Sequence, residues 1–254
     1  MTLVGTLSEP NLLIKKLELY TRLSCREKAV LERLSAGPVR LYQPRESIIR
    51  QGEPPEVVNL FRQGWACRFK DLPNGRRQVV SFLLPGDLCD LNVFVLRQMD
   101  HSIEAITAVS VAQIARADFE MITAEYPRIT QALWWDALVT NAIQREWTTN
   151  IGQRDAGARV GHLLCELFIR LRAVGLTTGS SCAFPLTQAL ISEATGLTNV
   201  HVNRTIQRLR TLGLVSIKER RLAIPDLEAL MEFSMFETNY LHLDHEGRHL
   251  DAND

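Results

Sequence analysis

The sequence predicts an α+β chain: an N-terminal antiparallel β-roll of jelly-roll type, a long helix suited to dimerisation, and a C-terminal winged helix-turn-helix. Three observations carry this expectation. Short β-type runs between 39 and 115 are separated by Gly- and Pro-bearing turns, the pattern of a small antiparallel roll or barrel. From Pro127 to 151 the apolar period becomes helical, with proline in a first-turn position where its missing N–H does no harm. Between 187 and 212 two short amphipathic stretches meet at Thr195-Gly196-Leu197.

In chain order, residues 1–38 form a helical lead-in, with Leu12, Leu13, Ile14, Leu17 and Leu19 apolar and Ser24 placed to cap Arg26–Leu34. The roll, 39–126, has expected strands at Ser47–Ile49, Val57–Phe61, Ala66–Lys70, Gln78–Leu84 and Val109–Ala115. Gln51-Gly52-Glu53-Pro54-Pro55, Gln63-Gly64, Pro73-Asn74-Gly75 and Pro85-Gly86-Asp87 supply the turns. On the long helix, 127–151, Ile129, Ala132, Leu133, Val139, Ile143, Trp147 and Ile151 share one side, and Trp135, Leu138 and Ala142 form a second strip. A helix apolar on two sides needs two covers, its own domain and a partner. Ile129, Leu133, Val139, Ile143 and Trp147 are the candidate dimer residues. The pattern breaks at Gly152–Gly157, a hinge, and resumes as an amphipathic helix over 156–174. That helix opens a domain at 152–228, and an acidic, histidine-bearing tail occupies 229–254.

The helix-turn-helix has a physical logic at each position. Gly196 supplies the positive φ of a tight turn, and Thr198 is an N-cap for the second helix. There Val202, Ile206 and Leu209 bury one face, leaving Asn199, Val200, Asn203, Arg204 and Gln207 on the other, groups suited to base edges. Leu214–Lys218 and Arg221–Ile224 read as the strands of a wing.

Thr-Gly-Leu-Thr-x-x-x-Val-x-Arg followed by Leu-x-x-Leu-Gly-Leu-Val resembles the DNA-binding end of the Crp/Fnr family of bacterial transcription regulators. Upstream, Ile-Ile-Arg-Gln-Gly-Glu-Pro at 48–54, Leu-Phe-Arg-Gln-Gly at 60–64 and Leu-Pro-Gly-Asp at 84–87 resemble that family's cyclic-nucleotide-binding-like roll, in family order over 24–228. The resemblance implies a sensor roll, a dimerisation helix and a DNA-reading domain. It makes Thr187, Gln188, Thr198, Asn199, Val200, His201, Asn203, Arg204, Gln207 and Arg208 the candidate DNA contacts. Arg204 stands where the family places a guanine-reading arginine, and Val200 where it often has glutamate.

Charge agrees with that assignment. The chain has 254 residues and zero net charge, which alone argues against a nucleic-acid binder, but the average hides an asymmetry. From 186 to 224 there are six basic residues against two acids, and from 225 onward eight acids against Arg248. With 46% hydrophobic and 23% charged residues, no leader pattern and no apolar run of spanning length, a cytoplasmic protein without membrane association is expected. Five scattered cysteines suit a reducing compartment.

The signal is less legible. Where the family's nucleotide binders carry Gly-Glu-Leu and Arg-Ser, this chain has Leu88-Cys89-Asp90-Leu91 and Asp100-His101-Ser102. Cys89, Asp90, His101 and Ser102 are the candidate effector residues. Imidazole does not replace a permanently charged fork on a phosphate, so cyclic AMP is not expected. Cys25 is the one cysteine in the N-terminal region where the family's sensors gather thiolates, so an iron–sulfur cluster is not expected, nor haem at a lone His101. Cys182, in a polar stretch, is a redox candidate if exposed. His242, His245 and His249 have helical metal spacing, but a solvated terminus explains them without a metal. There is no catalytic set of nucleophile, base and orienter, so no enzyme is expected. The resulting expectation is a homodimeric transcription regulator with double-stranded DNA and RNA polymerase as partners. The alternative is an effector-binding module acting through protein contacts.

Overall fold

The computed structural model describes residues 11–89, 91 and 93–243. Two helices lead in, α1 (Leu12–Leu17) and α2 (Cys25–Ser35). Asn11 caps the first, and Ser24 with Glu27 forms a reciprocal capping box on the second, satisfying orphan amides at both starts.

Eight strands follow: β1 (Val39–Tyr42), β2 (Ser47–Ile49), β3 (Val57–Gln63), β4 (Ala66–Asp71), β5 (Arg77–Leu83), β6 (Leu88–Cys89), β7 (Ser102–Ala105) and β8 (Val109–Ala115). They pair antiparallel into two four-stranded sheets, β1-β8-β3-β6 and β2-β7-β4-β5, whose inner faces enclose Tyr42, Phe61, Leu83, Ile103 and Val111. The Gln63-Gly64 turn needs glycine twice over. Its φ is +83°, and a Cβ would meet the Ala108 carbonyl oxygen at 2.2 Å.

β1, β6 and β7 lie outside the expected strands. Val39, Arg40 and Leu41 are exposed on the edge strand β1, so no alternation marks it, while β6 has two residues. β7 does alternate, burying Ile103 and Ala105, but over four residues alone. Helix α3 (Arg116–Glu125) also goes unmarked in the sequence, because Ile122 is its one buried residue.

Helix α4 (Pro127–Gln153) is followed after Arg154 and Asp155 by α5 (Ala156–Ala173), and Asp155 caps the new helix by accepting from the Ala158 amide at 2.8 Å. The expected dimer residues need correction. Ile129 is 0% exposed, and Leu133, Val139, Ile143 and Trp147 are 5–6% exposed, all within the protomer's own core. Trp147 packs edge-on against Phe82 of β5 and donates its indole N–H to Glu166 of α5 at 2.9 Å. The solvent-facing stripe is instead Trp134 (69% exposed), Leu138 (54%), Asn141, Arg145 and Thr148. Periodicity locates apolar faces; it does not say which cover comes from the same chain.

The C-terminal part holds β9 (Thr177–Thr178), β10 (Ser181–Ala183), α6 (Gln188–Thr195), α7 (Asn199–Thr211), β11 (Ser216–Lys218), β12 (Arg221–Ala223) and α8 (Leu227–Ser234). The expected wing hairpin is β11 and β12, extended into a sheet of order β11-β12-β10-β9. After α8 the chain turns back through a 3₁₀ turn, Asn239–Leu241, to lie on α4, where the His242 ring is 5.4 Å from Trp135. His245 and His249 of the tail lie outside the described residues, as does Asp90. One apolar core runs unbroken from α1 and the roll through α4 and α5 into the wing. No helix among the described residues is long and apolar enough to cross a membrane.

Candidate nucleic-acid interface

Local sequence fixes the two helices of the motif. Thr187 caps α6 by accepting from Leu190 N, and Thr198 caps α7 by accepting from His201 N, both at 3.2 Å. Between them Gly196 ends α6 in the left-handed conformation at φ 68°, and a Cβ added there would meet nothing within 4 Å. Its requirement is conformational, a C-terminal cap that a Cβ would strain.

Helix α7 is held by its buried face. Val202 and Leu209 are 0% exposed, and Thr205 and Ile206 are buried with them against α5 and α6. The other face is open: Asn199, Val200 (62% exposed), His201, Asn203, Arg204, Gln207 and Arg208 all face solvent, as do Thr187 and Gln188 at the start of α6. All ten candidate DNA contacts, Thr198 included, are thus exposed, on α7 with its cap and at the start of α6. Helix N-termini offer unsatisfied N–H groups and positive potential to an anion. Arg208 is partly committed, its guanidinium lying 5.8 Å from the centroid of the Phe233 ring.

The wing adds two residues that the candidate set omits. Glu219 (φ 48°) and Arg220 (φ 58°) occupy consecutive left-handed positions, a tight hairpin turn where non-glycine residues pay a steric cost. The strained turn presents Lys218 and Arg220 to solvent, whereas Arg221 is tied back to Ser181 Oγ at 3.0 Å. Their charge and the hairpin pattern were both visible in the sequence.

Cys182 is corrected. It lies on β10 at 1% exposure, and burial pushes its thiol up to about 11, so it is neither accessible nor ionised at neutral pH. Polar neighbours in sequence gave no warning, because strand alternation turns Cys182 inward while Ser181 and Ala183 face out.

Among the described residues of the roll, a histidine and a carboxylate occupy the expected clamp position. His101 is 7% exposed, and its Nδ1 lies 2.8 Å from Asp100 Oδ1, so a carboxylate stands beside the place where the clamp is expected. Ser102 Oγ accepts from the Gln51 amide at 3.0 Å, and Cys89 is fully buried with Arg68 Nη2 3.7 Å from its sulfur. Of the described candidates, none supplies the charged guanidinium fork that holds a cyclic phosphate. Among the described residues no group of three or more His, Cys, Asp or Glu side chains is placed to hold a metal.

Comparison with known proteins matches this geometry. Residues 39–126 match a cyclic nucleotide-binding domain family, and 158–233 match a Crp-like helix-turn-helix domain family. The chain is 31% identical over 158 residues to the nitrogen fixation regulation protein FixK of Bradyrhizobium diazoefficiens, covering 62% of this chain and 65% of that one. It is 26% identical over 219 residues to the transcriptional activator protein FnrL of Cereibacter sphaeroides, covering 83% and 85%. The solved structure of FixK2 from Bradyrhizobium japonicum superposes with a TM-score of 0.69 at 25% identity, covering 77% of this chain and 96% of that one. With both halves of the architecture present in family order, the chain is a member of the Crp/Fnr family of helix-turn-helix transcription regulators.

Proposed function

We propose that the protein is a homodimeric activator that reads an inverted-repeat operator through α7 and needs no cyclic nucleotide to do so. The observation that carries this reading is the open face of α7, polar and basic along its length, on a helix whose opposite face is locked in the core. That face favours DNA over a protein-contact role for the C-terminal helices. Arg204 is assigned to guanine, since its fork matches O6 and N7 in the major groove. Thr187, Gln188, Lys218 and Arg220 are assigned to phosphates, and Val200 to a thymine methyl.

The second copy is assigned to the exposed stripe of α4. Trp134, Leu138, Asn141, Arg145 and Thr148 recur at spacings of four and three, the period of a two-helix seam, with the large apolar residues at one end. A two-fold pairing there gives the two recognition helices the symmetry of a palindromic site. Activation follows the description of relatives such as FnrL as activators, with RNA polymerase in the cytoplasm as the further partner and no catalytic role.

Selection of bound duplexes from a random pool, followed by footprinting, tests the reading. The expected product is an inverted repeat with half-site centres about 10 base pairs apart. Binding that shows no sequence enrichment, or enrichment of a lone half-site at full affinity, overturns it.

A further inference from the structure

We propose that Asp87, Arg170, Glu166 and Tyr240 are positioning residues that fix the DNA-binding helices in one pose on the sensor roll. The proposal rests on the DNA-binding reading above and deepens it by saying how the pose is held without an effector.

These residues belong to a buried network drawn from distant parts of the chain. Lys16 Nζ of α1 lies 2.8 Å from Asp87 Oδ1 of the Pro-Gly-Asp turn and 2.6 Å from Asp136 Oδ1 of α4. Arg170 Nη2 of α5 lies 2.8 Å from Asp87 Oδ2 and donates to the Phe82 carbonyl of β5 at 3.2 Å. Its Nη1 reaches Glu166 Oε1 at 3.4 Å. Glu166 Oε2 accepts from Trp147 Nε1 of α4 at 2.9 Å and from the Tyr240 hydroxyl of the returning C-terminal segment at 3.2 Å. Burial alone would raise Asp87, but the Lys16 ammonium and the Arg170 guanidinium overcome it and hold the carboxyl below its ordinary range.

An apolar interface would join roll and helices at least as strongly, because burying charges forfeits their hydration. What the ionic network adds is register. The Arg170 fork meets Asp87, Phe82 and Glu166 together in one orientation of α5 against the roll, and Tyr240 closes the set from the far end of the chain. The same docking reaches the reading motif: Gln78 Nε2 of β5 donates to the Ala194 carbonyl at the end of α6 at 3.3 Å. Trp65 of the roll meets Phe184 edge-on at 6.3 Å. The α7 face is left open, so the pose presents the recognition helix instead of masking it. In a dimer, the pose of α5 on each roll sets the separation and tilt of the two α7 helices.

The test uses the full chain and the operator returned by the selection. Arg170→Met and Tyr240→Phe are compared with Arg170→Lys, which keeps a cation for Asp87. Asp87→Asn/Arg170→Met is a second variant that leaves no uncompensated buried carboxylate at Asp87, with Lys16 still facing Asp136. The double variant should raise the operator dissociation constant about tenfold or more, and Arg170→Lys should recover most of the loss. Base preference and cooperative melting should be unchanged, while amide exchange across 188–195 quickens. Unchanged affinity or unchanged exchange in the double variant overturns the proposal. So does loss of cooperative melting in every variant, since the residues would then serve folding alone. A wild-type chain that binds no duplex defeats the underlying reading instead, before any variant is compared.

Discussion

At the scale of single residues, the base contacts and phosphate contacts proposed above predict different losses on mutation. Arg204 projects from the open face of α7, and Arg204→Ala should cost about 1–3 kcal/mol in operator binding and relax preference at one base pair. Lys218 sits on the wing, where Lys218→Ala should weaken all duplexes alike and lower the salt slope by about 1. Titration against selected and scrambled duplexes at several salt concentrations distinguishes the two; equal losses on every sequence for Arg204→Ala would refute the base contact. A third residue acts on stability. His162 of α5 is 0% exposed and lies between Phe236 and Tyr240, with neither ring nitrogen hydrogen-bonded. Burial, and then the facing Arg154 guanidinium, hold its pKa down to about 3; Glu146 lies 3.5 Å away but is already paired with Arg154 at 3.1 Å. A depressed histidine pKa means that the unfolded chain takes up the proton first, so stability is lost as pH falls below about 6.5 toward the folded value. His162→Phe keeps the ring and removes the titration. Its advantage over wild type in denaturant melts should grow by about 1.4 kcal/mol per pH unit between pH 6 and pH 4. A constant difference across that range would show that His162 is not the group responsible.

At the scale of elements, α4 shows what apolar pattern can and cannot say. The main apolar strip was readable from its 3.6-residue period. The second, expected at Trp135, Leu138 and Ala142, is not an outer face, since Ala142 is buried and Trp135 stacks on Tyr20. Ownership was not readable: Ile143 and Trp147 turn onto β5 and α5 of the same protomer, and Trp134 and Leu138 are left outside. Replacing either pair by charge therefore gives different failures. Leu138→Glu with Trp134→Glu should yield folded monomers by light scattering, with an unshifted melt of the isolated protomer and operator affinity reduced to that of one half-site. Ile143→Glu should unfold the chain, since an unpaired carboxylate in the core costs several kcal/mol. A folded Ile143→Glu monomer would return the interface to the Ile143 face. The recognition motif was legible for the opposite reason. Its caps, left-handed glycine and apolar period are all local to 187–211, even though α5 supplies part of the cover. Strands β1 and β6 were illegible because an exposed edge and a two-residue bridge carry no period of their own.

At the scale of the whole molecule, the roll and the reading domain share one core, and the groups that join them were hidden from sequence inspection by separations as large as that between Lys16 and Arg170. Their closeness leaves little room for a ligand. The void where the roll meets α4 and α5, lined by Arg68, Ser81, Asp87, Thr140 and Arg170, has a volume of about 60 Å³. Small-molecule sites usually offer about 300–1,000 Å³. A ligand larger than this void that entered the junction would have to part the roll from α5, giving up the Arg170–Asp87 bridge. Losing that bridge works against the differential affinity by which a ligand shifts a conformational equilibrium. Linkage makes the consequence measurable in one titration, because a ligand that tightens DNA binding must itself be tightened by DNA to the same factor. Purified reduced protein should bind its operator with no additive, and millimolar cyclic AMP or cyclic GMP should leave the binding curve unmoved. Calorimetry of the protein–operator complex with either nucleotide should likewise register no saturable heat. A tenfold tightening, about 1.4 kcal/mol of coupling, would mean that the closed junction seen here opens readily and that His101 belongs to a working nucleotide pocket.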